Sequence, residues 1–224
     1  MPLDLSSIPI LDQHCHSLLR PGGPLSAVQY QRCFSESGDP EIHARHVPDT
    51  VFFRWAIKEL AAFFGCAPTS DAVLAARAAV SPDELTARLL RDANLGMLLV
   101  DFGYQTAETS THGELAPRLP CPVASVLRLE TLAQDLILRH DSFDAMIDAF
   151  VAAVEGARAA GHVGLKSIIA YRTGLAIRES ARAGAAATFA TVKEQARREG
   201  RLRLAAKPLN DYLVLRALEI AERQ

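Results

Sequence analysis

Four short apolar runs separate long stretches in which hydrophobic residues recur every three to four positions. The runs fall at residues 8–15, 95–102, 123–129 and 163–170 and read as strands. Between and after them the spacing predicts helices: residues 51–64, a segment from Pro82 towards Asn94, then 141–160, 178–198 and 207–223. The order is therefore β, helices, β, short link, β, α, β, α, α, an alternation that favours a parallel α/β architecture.

Local signals support several boundaries. Ser81-Pro82-Asp83-Glu84 has an N-cap serine, a proline at the first helical position and a glutamate that can complete a capping box. Gly161 is placed to take the left-handed turn after the 141–160 helix. Residues 17–94 form a long excursion between the first two strands. Its part from Arg20 to Thr50 is rich in Gly, Pro, Ser and polar residues and reads as loop. The following helix carries Phe52, Phe53, Trp55, Ile57, Leu60, Phe63 and Phe64; it needs burial, and a lid over a site mouth is one place for it.

The chain has 224 residues, 49% hydrophobic and 22% charged, with a formal net charge of −2. That composition is soluble and globular, enough for one sizeable core, and gives no electrostatic footprint for nucleic acid or an anionic membrane. Cys15, Cys33, Cys66 and Cys121 show no CxxC spacing, so reduced thiols in the cytoplasm are expected. The amino terminus lacks the basic and long apolar regions of a secretory signal, and no run approaches a membrane span.

Chemistry concentrates at the ends of the strands. In Asp12-Gln13-His14-Cys15-His16 a two-residue repeat puts Asp12, His14 and His16 on one side, where His14 and His16 can grip a divalent metal. Asp101 closes the second run; it is either a working carboxylate or a turn former before Gly103. Arg128 and Glu130 share a face at the end of the third run, either paired with each other or with neighbouring strands, or supplying an anion clamp and an acid, metal ligand or salt-bridge partner. Lys166 lies within a run otherwise fit for a central strand, so it must be paired, neutral or chemically altered. Pairing with Glu130 or Asp101 is one solution; a carbamate able to bridge two metals is the other. Arg172 shares parity with Lys166 and would either fork onto a substrate carboxylate or hold its loop. His43 and His46 are expected to be solvated.

Asp12-x-His14-x-His16 and Lys166, together with Gly164-Leu-Lys-Ser-Ile-Ile-Ala-Tyr-Arg-Thr-Gly-Leu175 and the helix at 52–65, resemble the amidohydrolase superfamily. The likeness is to the branch of amidohydrolase-related and FluG/nodulin-type domains, and it runs over essentially the whole chain. It implies a partial (β/α)8 TIM-type barrel, about its first four β/α units, with the 17–94 insertion inside a single domain over residues 1–224. By the same resemblance His14 and His16 are metal ligands, with Lys166 a further ligand and catalytic group in a binuclear site. Zinc is the expected metal, with manganese second.

The implied reaction is hydrolysis of an amide or other C–N bond of a small molecule by a metal-activated water, with Arg128 or Arg172 orienting the substrate. Decarboxylation on the same scaffold is an alternative, as is a non-catalytic half-barrel that needs a partner. Family members also carry ligands and a general base on later strands, beyond the fourth helix with which this sequence stops. A closed barrel takes about 250 residues, so the expectation is an amino-terminal half, completed by a carboxy-terminal half or by a homodimer.

Overall fold

The computed structural model describes residues 4–224; the first three positions of the amino-terminal stretch read above for targeting lie outside the described residues. The strands are β1 (Ile10–His16), β2 (Leu95–Asp101), β3 (Val123–Arg128) and β4 (His162–Lys166). They form one sheet in the order β1-β2-β3-β4, and every pairing is parallel. Contacts divide the chain into two compact units, one holding the sheet with residues 121–224, the other built mainly from residues 20–93.

In the sheet unit, α5 (His112–Leu115) lies between β2 and β3. Next, α6 (Leu129–Arg139) and α7 (Phe143–Glu155) connect β3 to β4, and α8 (Arg182–Glu199) and α9 (Lys207–Ala221) follow. The two helices between β3 and β4 replace the single one expected, because His140 breaks the run and Ser142 caps a new start by accepting from the Ala145 N–H. Phe150, Ile137, Met146, Leu204, Leu209 and Ile220 are almost fully buried and bind α6, α7, α8 and α9 into one core. Leu127 of β3 and Leu165 of β4 pack on that core. Their strand neighbours Arg128 and Lys166 therefore belong to the opposite face.

That opposite face is concave. The side chains of His14 on β1 and Lys166 on β4 meet, with Nε2 and Nζ 3.3 Å apart. Three inter-strand steps of about 4.8 Å separate those strands along the sheet, so only a strongly curled sheet brings the two side chains together. This is the curvature of part of a barrel, whose interior at eight strands is just wide enough to be filled by side chains.

Each strand is shorter than its predicted run, and at β3 and β4 the difference moves residues of interest. β3 stops at Arg128 and the chain turns at once into α6, so Glu130 sits in a helical first turn rather than on the strand. β4 stops at Lys166, and Ile169–Tyr171 forms a single 3-10 turn. Gly156, with φ −82°, caps α7; Gly161, with φ 88°, makes the left-handed entry into β4 instead of ending the helix.

In the other unit, α1 (Ala27–Arg32), α2 (Val51–Phe64), α3 (Ser70–Ala78) and α4 (Pro82–Asp92) follow one another. Part of the stretch expected as loop is thus helical, and α3 is an addition. Ser81 caps α4 through the Glu84 N–H. The buried stripe of α2, Phe53, Ile57 and Ala61, packs with Tyr30, Val47 and Val73. Its other side leaves Val51, Phe52 and Trp55 exposed. His43 is buried, not solvated: its ring bonds the Ser37 carbonyl at 2.6 Å. Among the described residues no helix is long and apolar enough to cross a membrane.

His162, at the start of β4, pairs its Nδ1 with Ser125 Oγ at 2.8 Å, and burial lowers its pKa from the ordinary 6.5. A histidine held neutral by the fold stabilises fully above its unfolded pKa, and that contribution falls away as pH drops below it. We predict that urea midpoints fall between about pH 7.5 and 5.5, and fall less in His162→Gln. An equal fall in both proteins contradicts the assignment.

Candidate active site at the carboxyl ends of the strands

Every strand delivers its polar residue at its carboxyl end, the end where open and closed parallel α/β sheets carry their working groups. β1 reaches this end through an irregularity. Asp12 pairs with Leu98 and Cys15 with Val100, so three steps on β1 match two on β2. Asp12 bridges the gap by accepting the His14 N–H on Oδ1 at 3.0 Å. The regular two-residue alternation expected through this stretch is broken there, and the Asp12 carboxylate serves its own backbone.

His14 turns its Nε2 to Lys166 Nζ across the concave face. His16 turns the other ring nitrogen, Nδ1, to Asp101, 3.4 Å from the carbonyl oxygen and 3.9 Å from Oδ2. A carbonyl only accepts, so this contact fixes the proton on Nδ1 and leaves the Nε2 lone pair free. The ring packs against Tyr104 with centroids 5.1 Å apart, and its side chain is 45% exposed. Cys15, between the two histidines, contacts the Leu99 carbonyl, and burial pushes its thiol up to about 11. It is a packing residue, since the reactive form is the thiolate.

Asp101 and Arg128 form a buried pair. Arg128 Nε donates to Oδ1 at 3.1 Å and to Oδ2 at 2.9 Å, while Nη2 also holds Oδ2. The two residues are 2% and 8% exposed. Asp101 also forms the turn before Gly103, its Oδ1 taking the Gly103 N–H at 2.9 Å. A Cβ at Gly103 would stand 2.6 Å from Arg128 Cβ and 2.8 Å from Cδ, so only glycine lets the arginine lie where it does. Of the pairings open to Arg128, the one found is with the neighbouring strand, through Asp101 rather than Glu130, and two of its nitrogens are committed to it rather than offered to a substrate.

Glu130 is occupied elsewhere. Its oxygens accept from Ser167 Oγ at 2.5 Å and from the Ile168 N–H at 3.0 Å, fastening the exit of β4 to the start of α6. Lys166 consequently pairs with neither carboxylate. It is half-buried at the strand's last position rather than sunk within a central strand, and its polar neighbour is His14. Arg172, just past the 3-10 turn, has a buried Nε without a hydrogen-bond partner among the described residues. Burial and the nearby Arg203 and Arg128 lower its pKa, against Glu130.

The concave face thus gathers His14, His16, Asp101, Arg128 and Lys166, while Glu130 and Arg172 stand at the β4 exit. Tyr104, Ser167 and Arg203 were not singled out in the sequence. Gly103, two residues after Asp101 and ahead of an arginine-ending strand, was the available signal for the buried pair. Among the described residues no three His, Cys, Asp or Glu side chains converge as a metal-binding group.

No protein-family model matches the chain, and no curated protein matches it. Among solved structures it is similar to the crystal structure of a "putative metal-dependent hydrolase" from Lactobacillus casei ATCC 334, with 30% sequence identity and a TM-score of 0.81. The match covers 96% of this chain and 55% of that one, so the chain spans about half the length of its structural neighbour.

Replacing Asp101 by Asn leaves Arg128 buried without its counter-charge, a change that costs about 3–5 kcal/mol. Urea unfolding of Asp101→Asn at neutral pH should show a loss of that size. A loss below about 1 kcal/mol, the scale of an exposed pair, would mean that the pair is not buried as described.

Proposed function

We propose that this chain carries the first part of the active site of a metal-dependent hydrolase of the amidohydrolase type, acting on an amide or other C–N bond. The observation that carries this reading is the 3.3 Å between His14 Nε2 and Lys166 Nζ. Two nitrogen donors 2.0–2.1 Å from one tetrahedral zinc ion lie about 3.3 Å apart. His16 adds a second imidazole whose Nε2 is free and whose Nδ1–H is held by Asp101. The resemblance to a solved structure described as a metal-dependent hydrolase supports the same reading.

His14, His16 and Lys166 would hold the metal. Imidazole and amine donors favour zinc over the oxygen-preferring manganese. A divalent ion there supplies Lewis acidity towards a carbonyl and acidifies a water. The residues of this chain do the rest of the positioning. Arg128 fixes Asp101, Asp101 fixes the tautomer of His16, and Asp12 fixes the backbone of His14. Lys166 must shed its charge to ligate: loss of one proton gives the free amine, and carbon dioxide adding to that amine at Nζ with release of a second proton gives an anionic carbamate, which would ligate through oxygen. Arg172 would orient substrate.

The lack of a third His, Cys, Asp or Glu donor among the described residues favours one second reading, a non-catalytic half-barrel that needs a partner. Metal analysis after purification and exposure to zinc separates the two. The proposal expects about one zinc per chain, reduced to trace in His14→Gln and in His16→Gln with unchanged circular dichroism. Trace zinc in the parent protein, or equal zinc in the variants, would refute it.

A further inference from the structure

The loop that leaves β4 holds polar groups without a hydrogen-bond partner among the described residues. Arg172 Nε and Thr173 Oγ1 are consecutive in sequence, both buried, and neither has a hydrogen-bond partner among the described residues. Buried polar atoms of native proteins are nearly always paired, so two neighbouring orphans call for an absent partner. The loop is not disordered around them: the N–H groups of Arg172, Thr173 and Gly174 all converge on the Ile169 carbonyl at 2.9–3.0 Å.

A second arginine is tied to this loop. Arg203 is exposed and donates Nη2 to the carbonyl of Tyr171, the residue before Arg172, at 3.1 Å. The nearby carboxylates are already committed, Asp101 to Arg128 and Glu130 to Ser167 and Ile168. Arg128 is matched by Asp101, while Arg172 and Arg203 have no carboxylate hydrogen-bonded to them among the described residues. These two cations and the free N–H and O–H groups ask for the same thing, an anionic acceptor.

We propose that the loop after β4 is a carboxylate subsite, in which Arg172 and Arg203, with the Thr173 hydroxyl, hold a single carboxylate of a small-molecule substrate. A carboxylate carries two coplanar oxygens, matching the planar guanidinium fork. The assignment deepens the hydrolase reading by naming an acidic substrate, and its test needs no bound metal.

The full chain, stripped of metal with a chelator, is treated with phenylglyoxal, which modifies arginines, and the rate at each arginine is read by peptide mass spectrometry. Sodium acetate, sodium phosphate and sodium chloride are compared at equal ionic strength, with exposed Arg158 as internal reference. Acetate is expected to slow modification of Arg172 and Arg203 several-fold relative to chloride while Arg158 is unaffected. In Arg203→Gln, the acetate concentration that protects Arg172 should rise about tenfold, the scale of one charge-assisted hydrogen bond. Equal rates in acetate and chloride overturn the subsite. Stronger protection by phosphate overturns the carboxylate assignment, and unchanged protection in Arg203→Gln overturns the role of Arg203. Because the protein is metal-free throughout, these outcomes stand apart from the zinc content that tests the hydrolase reading.

Discussion

The curl of the four-stranded sheet is the constraint on which the site depends. In a flat parallel sheet, side chains on β1 and β4 would stand about 14 Å apart at their bases and point in parallel. Here they meet, His14 against Lys166. The outer layer imposes this curvature from one side: Leu127 and Leu165 are drawn onto the core of α6 to α9, so the alternate residues Arg128 and Lys166 are turned inward. Hydrophobic packing on the outer face thereby places charge on the inner one. The chemistry of the inner face is a by-product of burial on the other.

A single buried ion pair then orders that charge. Asp101 and Arg128 bridge β2 and β3 at the strand ends, and the missing side chain of Gly103 makes room for the arginine. Burying such a pair brings little net stability, since desolvation offsets most of the attraction. Its value is positional. Asp101 touches the His16 ring, Arg128 lies 6.0 Å below Tyr104, and Tyr104 packs on His16, so the three strands share one fixed cluster. The neighbouring Glu130 ties α6 to the exit of β4 in the same manner, through Ser167 and Ile168.

Much of this was legible in the sequence, for physical reasons that differ between elements. The four apolar runs announced the strands through their short length and apolar content, although β1 is largely exposed and β3 and β4 are mostly half-buried. The helix after Ser81 was legible from its cap. Strand ends were less so: Leu129 continues the apolar run of β3 but belongs to α6, where it is buried against the helical core. The pattern cannot tell the last strand residue from the first helical one when both are buried. The bulge in β1 was hidden for another reason, since an Asp two residues before a His looks like a ligand as readily as a backbone acceptor. Partner choice was the least legible feature. Arg128 and Glu130 alternate as a strand pair would, yet the helical turn separates them, and Asp101 takes the arginine.

The central claim is that His14, His16 and Lys166 surround one ion on the concave face. X-ray absorption at the zinc edge of the zinc-loaded protein tests it most directly. The account predicts a nitrogen-dominated shell at about 2.0–2.1 Å with the outer scattering of two imidazoles. A shell of oxygens alone, without imidazole scattering, would contradict it.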